Sequence, residues 1–189
     1  FASDGTFTRE LLVDSINSNL ANVLGNLVNR TIGMTNKYFS GVVCDKGVYE
    51  DIDDELKSLV LNTKSIVEDK MDKLRVADSL DAIFDVYRRC NKYIDETMPW
   101  VLAKDEDKSD RLSTVLYNLV ESIRYATVLL SAFMPDTALN IFYQINAEDR
   151  DYNSLDKFGY YESGNSVNEA SVLFKALSEP NRVKIVKVL

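Results

Sequence analysis

Asn26 and Arg30 stand four residues apart near the start of the chain, and their side chains suit hydrogen bonding to a flat polar ligand. In a helix, residues at this spacing lie side by side on one face. An asparagine amide both donates and accepts, and a guanidinium offers several N–H donors in a rigid plane. Such a pair can bind the edge of a nucleobase. Alternatively, the amides tie this helix to a loop or to the next helix, and composition alone favours that alternative.

The face around Asn26 is rich in asparagine, because Asn19, Asn22 and Asn29 share the polar side of the predicted helix. Asparagine is a poor helix former, since its side chain competes for backbone hydrogen bonds. At about 100° per residue, Asn26 lies roughly 200° around the helix from Leu24, so the amides point away from the apolar stripe. Their accumulation on one face therefore calls for a reason.

A second candidate is Met98-Pro99-Trp100, which contains the only tryptophan of the chain. An indole held at a corner whose backbone is restricted by proline can serve as a stacking platform, and an unpaired base on an aromatic ring is worth about 1–3 kcal/mol. Equally, a single tryptophan can cover the end of a helical core. The residue types alone leave both interpretations open.

Most other chemistry is excluded by composition. The chain has no histidine, which removes Ser/His/Asp and Cys/His nucleophiles, histidine proton shuttles and most catalytic zinc sites. It also lacks a glycine-rich phosphate loop and a Gly-x-Ser-x-Gly elbow. Adjacent carboxylates such as Asp53 and Asp54 point in different directions on a helix, so we interpret them as solvated faces and predict neither catalytic nor metal-binding residues.

Size and charge describe one acidic domain. The chain has 189 residues, 46% of them apolar, with 22 basic and 30 acidic side chains and a net charge of −8. This acidity argues against unspecific binding of nucleic acid, which needs a surplus of lysine and arginine, but it permits a small local recognition site. No apolar run approaches the ~20 residues that span a bilayer, and the two distant cysteines are typical of reduced thiols, so we expect a cytoplasmic protein without a membrane segment.

The spacing of apolar residues at threes and fours predicts an all-α fold. We expect helices over about residues 8–38, 50–74, 78–97, 112–130 and 135–144, a loop over 147–168 and a last helical stretch over 170–189. The fourth helix has the broadest apolar face and should form the centre. The buried stripe of the first predicted helix is Leu12, Ile16, Leu20, Leu24, Leu27 and Thr31. That of the second is Ile52, Leu56, Leu59, Ile66 and Leu74.

Two segments together carry a family resemblance: INSNLANVLGNLVNR at residues 16–30 and NKYIDETMPWVLAK at residues 91–104. They resemble the helical anticodon-binding domain of bacterial methionyl-tRNA synthetase, and the likeness covers about residues 1–174. The resemblance implies an antiparallel helix bundle of the class Ia synthetase anticodon-binding type. It also implies that Trp100 stacks on the wobble cytosine of the CAU anticodon, that Asn26 and Arg30 hydrogen-bond this base, and that Pro99 fixes the ring.

The same resemblance shows which family motifs this chain lacks. The family's ATP-binding signatures, His-x-Gly-His and Lys-Met-Ser-Lys-Ser, are absent, and Phe1 is not preceded by a start methionine. We therefore expect a piece of a longer polypeptide, with methionine activation and ATP assigned to a catalytic domain outside this chain. The piece is expected to bind methionine tRNA and its own catalytic domain, to need no cofactor and to be inactive alone.

The tail over residues 175–189 departs from the family pattern. Residues 176–189 resemble the first helices of a winged-helix repressor, cut off before a recognition helix, so we predict no DNA binding. Two rival functions remain. A helical protein-interaction or scaffold domain predicts an exposed apolar patch beside Asn22 and Asn26 and no affinity for tRNA. A regulator that uses the tail on DNA needs residues beyond Leu189.

Overall fold

The computed structural model describes residues 8–177, which form a helical bundle around one buried helix. This central helix is α6 (Ser109–Leu130), and every residue from Arg111 to Leu130 is buried. Helices and loops surround it on all sides, so it has no solvent-facing stripe. The predicted all-α bundle with this helix at its centre is confirmed.

A long helix opens the described part of the chain and changes its geometry along its length. It starts as α1 (Arg9–Ser15), continues as a π-helical segment (Ile16–Gly25) and ends as α2 (Asn26–Phe39). Thr8 caps its first turn, because its hydroxyl accepts the N–H of Leu11 at 3.2 Å. The helix over residues 8–38 is thus confirmed, whereas the π-helical geometry was not predicted.

The other elements pack around α6. They are α3 (Asp51–Asp72), α4 (Val76–Thr97), the single turn α5 (Pro99–Leu102) and α7 (Pro135–Gln144). A two-residue antiparallel ladder joins β1 (Val42–Val43) to β2 (Asn165–Ser166). Tyr93 of α4 reaches Asp53 near the start of α3. Arg89, one turn earlier in α4, reaches Glu55, which is two residues further along α3, so the two helices run antiparallel. No helix within residues 8–177 is long and apolar enough to cross a membrane.

The predicted apolar stripes are partly wrong. In the first helix Leu24, Leu27 and Thr31 are fully buried, but Leu12, Ile16 and Leu20 are only partly buried. Of the second predicted stripe, Ile66 and Leu74 are exposed, and the buried face of α3 includes Leu56, Val60, Thr63 and Val67. Ile66 is exposed because the buried face passes through its neighbour Val67, and Leu74 is exposed because α3 stops at Asp72.

The predicted loop over residues 147–168 lies across the bundle and is held by two charged side chains of α6. Glu121 and Arg124 are fully buried and form an ion pair at 2.6 Å. Glu121 accepts the backbone N–H groups of residues 159, 160 and 161 at 2.8–3.1 Å. Arg124 donates to the carbonyls of Asp149 and Ser154. The polar groups of the central helix thus fix the path of the loop.

The last predicted helix does not begin where it was expected. Residues 170–177 are not helical and form part of a strap, residues 168–177, that crosses the surface towards the first helix. Its start is fixed by hydrogen bonds from Asn168 and Ser171 to Gln144 at the end of α7. The backbone N–H groups of Asn168 and Ser171 thus bind α7 and do not form helical hydrogen bonds. The remainder of the predicted stretch, residues 178–189, lies outside the described residues.

Asp53 was interpreted as a solvated carboxylate, and this is wrong because its side chain is fully buried. Arg111 donates to its two carboxylate oxygens at 2.6 and 3.0 Å, Tyr93 donates through its hydroxyl, and the N–H of Glu50 donates at 2.8 Å. Burial alone would raise the pKa of Asp53, but the hydrogen bonds from Arg111, Tyr93 and the backbone hold this pKa below its usual value.

Replacing the carboxylate of Asp53 tests whether its pKa is lowered in the folded protein. We expect Asp53→Asn to lower the free energy of unfolding by about 3–5 kcal/mol at neutral pH, because Arg111 is left buried with its main partner uncharged. A folded-state pKa below the unfolded value means that this stabilisation is present above about pH 4 and is lost as the pH falls through the folded pKa. The deficit of the variant, measured by urea unfolding across pH 7 to 3, should therefore shrink in acid.

The matched control is Asp54→Asn, which changes the exposed neighbour on the same helix. It should alter stability by less than about 0.5 kcal/mol at every pH. A deficit for Asp53→Asn that stays constant down to pH 3 would contradict the lowered pKa.

Candidate nucleic-acid interface

Asn26 and Arg30 lie on consecutive turns of α2, directly after the π-helical segment. The N–H of Asn26 donates to the carbonyl of Ala21, five residues back, so Asn26 closes the last wide turn. Its side chain is exposed, and that of Arg30 is 34% exposed. The predicted angle between Leu24 and Asn26 assumed an α-helix, and it does not apply where hydrogen bonds span five residues.

The π-helical segment is docked on α4 by an asparagine whose role was not predicted. The amide of Asn91 donates to the carbonyl of Val23 and to that of Tyr87, both at 3.0 Å. One side chain thereby satisfies a carbonyl on each helix. The contact fixes the first helix against the C-terminal half of α4, and so sets the position of Asn26 relative to that helix.

Arg30 also contacts α4. Its Nη2 lies 3.5 Å from Oδ1 of Asp95, and both side chains are accessible to water. A surface pair of this kind contributes about 0–1 kcal/mol, so it orients the guanidinium more than it stabilises the fold. The bond uses one of the five guanidinium N–H donors. Asp95 lies five residues before Trp100, which brings the guanidinium to the end of α4 that leads into the tryptophan corner.

The tryptophan corner is a sharp turn between α4 and α5. Met98 has a left-handed backbone conformation, with φ 45° and ψ 63°, and its N–H donates to the carbonyl of Ile94 at 3.0 Å. Pro99 is buried and forms the first residue of α5, where its fixed φ suits a helix start. Trp100 follows with 41% of its surface exposed. The indole is therefore accessible to a ligand on part of its surface, and the rest of the side chain is covered by the protein.

The last turns of α4 beside this corner carry paired charges. Glu96 accepts from Arg89 at 2.8 Å and from Lys92 at 3.2 Å. Partial desolvation would raise the pKa of Glu96, but these two cations hold it below its usual value. Glu96 thus stays ionised, and the basic groups beside the corner are partly neutralised. A broad positive field is absent from this turn of α4.

A groove of about 450 Å³ lies on the asparagine face of the first helix. One wall carries Asn22, Asn26 and Asn29, and the other belongs to the strap. Its volume is in the range of pockets that hold small ligands, and its lining combines amides with apolar carbon. Neither Arg30 nor Trp100 lines this groove. Of Asn26, Arg30 and Trp100, only Asn26 lines the groove.

Gly25 lies where the strap crosses the first helix, and the tight space around it is on the side of the helix rather than of the strap. A Cβ at this position would lie 3.2 Å from the carbonyl oxygen of Leu20 and 3.7 Å from the ring of Phe174. The amide of Asn17 exchanges two hydrogen bonds with the backbone of Leu177, at 2.7 and 3.3 Å. The scaffold hypothesis predicted an exposed apolar patch beside Asn22 and Asn26. The structure places the protein's own strap there, and of its apolar side chains Phe174 is partly buried while Val172 is 66% exposed.

Comparison with known proteins gives the fold its family. Residues 43–187 match the family model described as the anticodon binding domain of methionyl tRNA ligase. The chain belongs to this family. Within residues 8–177 of this anticodon-binding domain, no cluster of three or more cysteine, aspartate or glutamate side chains could hold a metal ion.

Proteins with similar sequences are methionine–tRNA ligases. The chain is 46% identical to methionine–tRNA ligase of Clostridium tetani over 184 residues and 48% identical to that of Caldanaerobacter subterraneus over 176 residues. These alignments cover 97% and 92% of this chain but only 29% and 27% of the ligases. The free methionyl-tRNA synthetase of Mycobacterium tuberculosis superposes with a TM-score of 0.89 at 29% identity, over 95% of this chain and 37% of that one. The predicted family and bundle type are confirmed.

The family model covers some of the candidate residues and not others. The family model begins after Asn26 and Arg30 but includes Pro99 and Trp100. It also continues to residue 187, past residue 174, where the resemblance was expected to end. The end of the match therefore does not mark the predicted boundary between a domain over 1–174 and a tail over 175–189.

The exposure of Trp100 can be measured directly, because it is the only tryptophan. We expect its fluorescence to be red-shifted and readily quenched by acrylamide in the folded protein. We also expect Trp100→Ala to change the free energy of unfolding by less than about 1 kcal/mol, because truncation of a half-exposed ring leaves no cavity. A blue-shifted emission that acrylamide quenches only after unfolding would contradict this placement.

Proposed function

We propose that this domain binds the anticodon loop of methionine tRNA and recognises the wobble cytosine of CAU at the tryptophan corner. In this proposal Trp100 stacks on the base, Pro99 holds the ring in place, and Asn26 and Arg30 hydrogen-bond the base edge. The observation that carries it is the half-exposed indole at a turn fixed by Met98 and Pro99, at the end of the helix that Arg30 contacts.

The chemistry of the two polar side chains matches that of cytosine. Its Watson–Crick edge presents an amino donor and two acceptors, the ring nitrogen and the carbonyl oxygen. The carbonyl of Asn26 can accept from the amino group, while the guanidinium of Arg30 donates to the acceptors. Uracil at the same position offers a carbonyl where cytosine has its amino group, so the asparagine contact is lost or reversed. This difference is the proposed basis of selectivity.

Stacking suits an acidic domain. The net charge of −8 and the paired charges around Glu96 argue against binding through a broad basic surface. Unpaired loop bases are recognised by stacking on aromatic rings and by hydrogen bonds to their edges, and these contacts need few positive charges. The proposed site therefore supports recognition of one splayed base rather than of a duplex.

The remaining functions belong to the longer ligase in this proposal. Methionine activation with ATP and transfer to tRNA take place in a catalytic domain outside this chain, which is the domain's second partner. The proposed setting is the cytoplasm, where translation occurs. The chain supplies selectivity among tRNAs and no catalytic residue.

Removing the stacking platform should weaken binding. We expect Trp100→Ala to reduce the affinity for methionine tRNA by about 1–3 kcal/mol, or roughly 5- to 150-fold, measured by filter binding. Trp100→Phe should retain most of the affinity because it keeps an aromatic face. The matched control is Tyr143→Ala, which removes another exposed ring, on α7. Equal affinities for wild type and Trp100→Ala would overturn the stacking role.

Changing the base tests the hydrogen bonds separately. We expect wild type to bind a methionine tRNA with uracil at the wobble position at least tenfold more weakly than the cytosine form, since one bidentate base contact is worth about 1–3 kcal/mol. Asn26→Ala should bind both forms weakly and remove most of that discrimination. Asn36→Ala, an exposed asparagine on the same helix, is the control. Undiminished discrimination in Asn26→Ala would exclude this amide from base recognition.

A further inference from the structure

The π-helical segment Ile16–Gly25 is longer than such segments usually are. π-Helices are rare, and most consist of a single wide turn inside an α-helix, often at a functional site. This segment has ten residues and ends directly before Asn26. Its length indicates that contacts from outside the helix hold it, and two other parts of the chain supply such contacts.

The strap binds the start of the segment through Asn17. The amide oxygen of Asn17 accepts the N–H of Leu177 at 2.7 Å, and the amide nitrogen donates to the carbonyl of the same residue at 3.3 Å. The two residues are 160 positions apart in the chain, so this contact does not arise from the helix itself. One side chain that pairs with both backbone groups of Leu177 fixes the direction of the strap as well as its distance.

The strap also contacts the end of the segment. A Cβ built at Gly25 would lie 3.7 Å from the ring of Phe174, so this ring packs beside the helix backbone one residue before Asn26. Phe174 is partly buried against the core, whereas Val172 on the same strap is 66% exposed. The strap therefore contacts the wide helix near both of its ends.

The other end of the strap is fixed to the bundle. Gln144 is 1% exposed, its backbone carbonyl accepts the N–H of Asn168 at 2.9 Å, and its side chain accepts the N–H of Ser171 at 2.8 Å. The second outside contact comes from α4, where Asn91 donates to the carbonyl of Val23. The π-helical segment is thus held by a strap that is anchored on α7 and by an amide of α4.

The backbone hydrogen bond of Asn26 depends on the wide turn. Its N–H donates to the carbonyl of Ala21, five residues back, whereas in an α-helix the acceptor would be Asn22, four residues back. A segment that relaxed to α-helical geometry would therefore change the backbone at Asn26. The orientation of the side-chain amide would change with it, and a hydrogen bond to a base edge tolerates only a narrow range of distance and angle.

We propose that Asn17 is a positioning residue for base recognition, because through the strap it keeps the turn before Asn26 wide and so holds the Asn26 amide in one orientation. This inference rests on the proposed function, to which it adds the strap as a supporting element. Asn17 acts through Asn26 and needs no contact with the base. Binding residues generally require such support, since their own geometry must be fixed before the ligand arrives.

Binding of the two wobble forms of methionine tRNA tests this role. We expect Asn17→Ala to lower the ratio of the affinities for the cytosine and uracil forms from at least about tenfold to less than about threefold, measured at a temperature at which the variant is folded. The matched control is Ser18→Ala, which changes an exposed neighbour on the same segment and should keep the wild-type ratio. A wild-type ratio in Asn17→Ala, or an equal loss in Ser18→Ala, would overturn the proposal.

Hydrogen exchange without tRNA gives a second measurement. We expect the amide of Asn26 to exchange at least about tenfold faster in Asn17→Ala and in Phe174→Ala than in wild type, because each change removes a contact of the strap. Amides at the centre of α6 should keep their rates, since they report global rather than local opening. Val172→Ala truncates an exposed side chain of the strap and should leave the Asn26 amide unchanged. An unchanged Asn26 amide in the first two variants would contradict the proposal.

The two measurements separate this inference from the anticodon proposal. If wild type binds both wobble forms equally, the anticodon proposal fails, and with it the role of Asn17 in base recognition. The exchange rates then still decide whether the strap holds the wide turn. If wild type discriminates and Asn17→Ala discriminates equally well, only the positioning role of Asn17 fails.

Discussion

The absence of a solvent-facing side on α6 is the constraint on which the rest of the fold depends. Polar groups on a buried helix must find partners inside the protein, because an unpaired buried charge costs several kcal/mol. Several polar residues of α6 therefore fix a surrounding segment. Arg111 binds the start of α3 through Asp53, Asn118 binds α4 through Tyr93, and Glu121 holds the loop. The surrounding elements are positioned by charge and hydrogen bonding as well as by apolar packing.

This arrangement gives the proposed tRNA site a rigid base. Tyr93 and Ile94 are fully buried two turns before the tryptophan corner, so the C-terminal part of α4 cannot shift without disturbing the core. Asn91 and Asp95 then connect α4 to the π-helical segment and to Arg30. The exposed side chains are placed by buried neighbours, which keeps the entropy lost on binding a single base small.

The sequence predicts what depends on periodicity and misses what depends on partners far along the chain. The helices follow from apolar spacing, and the exposed Trp100 follows from a resemblance carried by two short segments. The burial of Asp53 was missed because its partner Arg111 is distant in sequence, although its spacing from Leu56 and Val60 puts Asp53 on the buried face of α3 and Asp54 off it. The π-helical geometry was missed because the spacing of apolar residues was interpreted with α-helical geometry throughout the first helix. The strap was missed because its partners, Asn17 and Gln144, belong to other elements.

The left-handed backbone of Met98 at the tryptophan corner lowers the stability of the fold but restricts the orientation of the indole. Met98 stores about 1–2 kcal/mol of steric strain, which a glycine would relieve. Glycine would also let the peptide before Pro99 sample other conformations. The indole of Trp100 would then adopt a wider range of orientations. A more stable fold and a more narrowly held indole for the proposed base contact thus place opposite demands on this position. Thermostable versions of the domain should have gained their stability elsewhere.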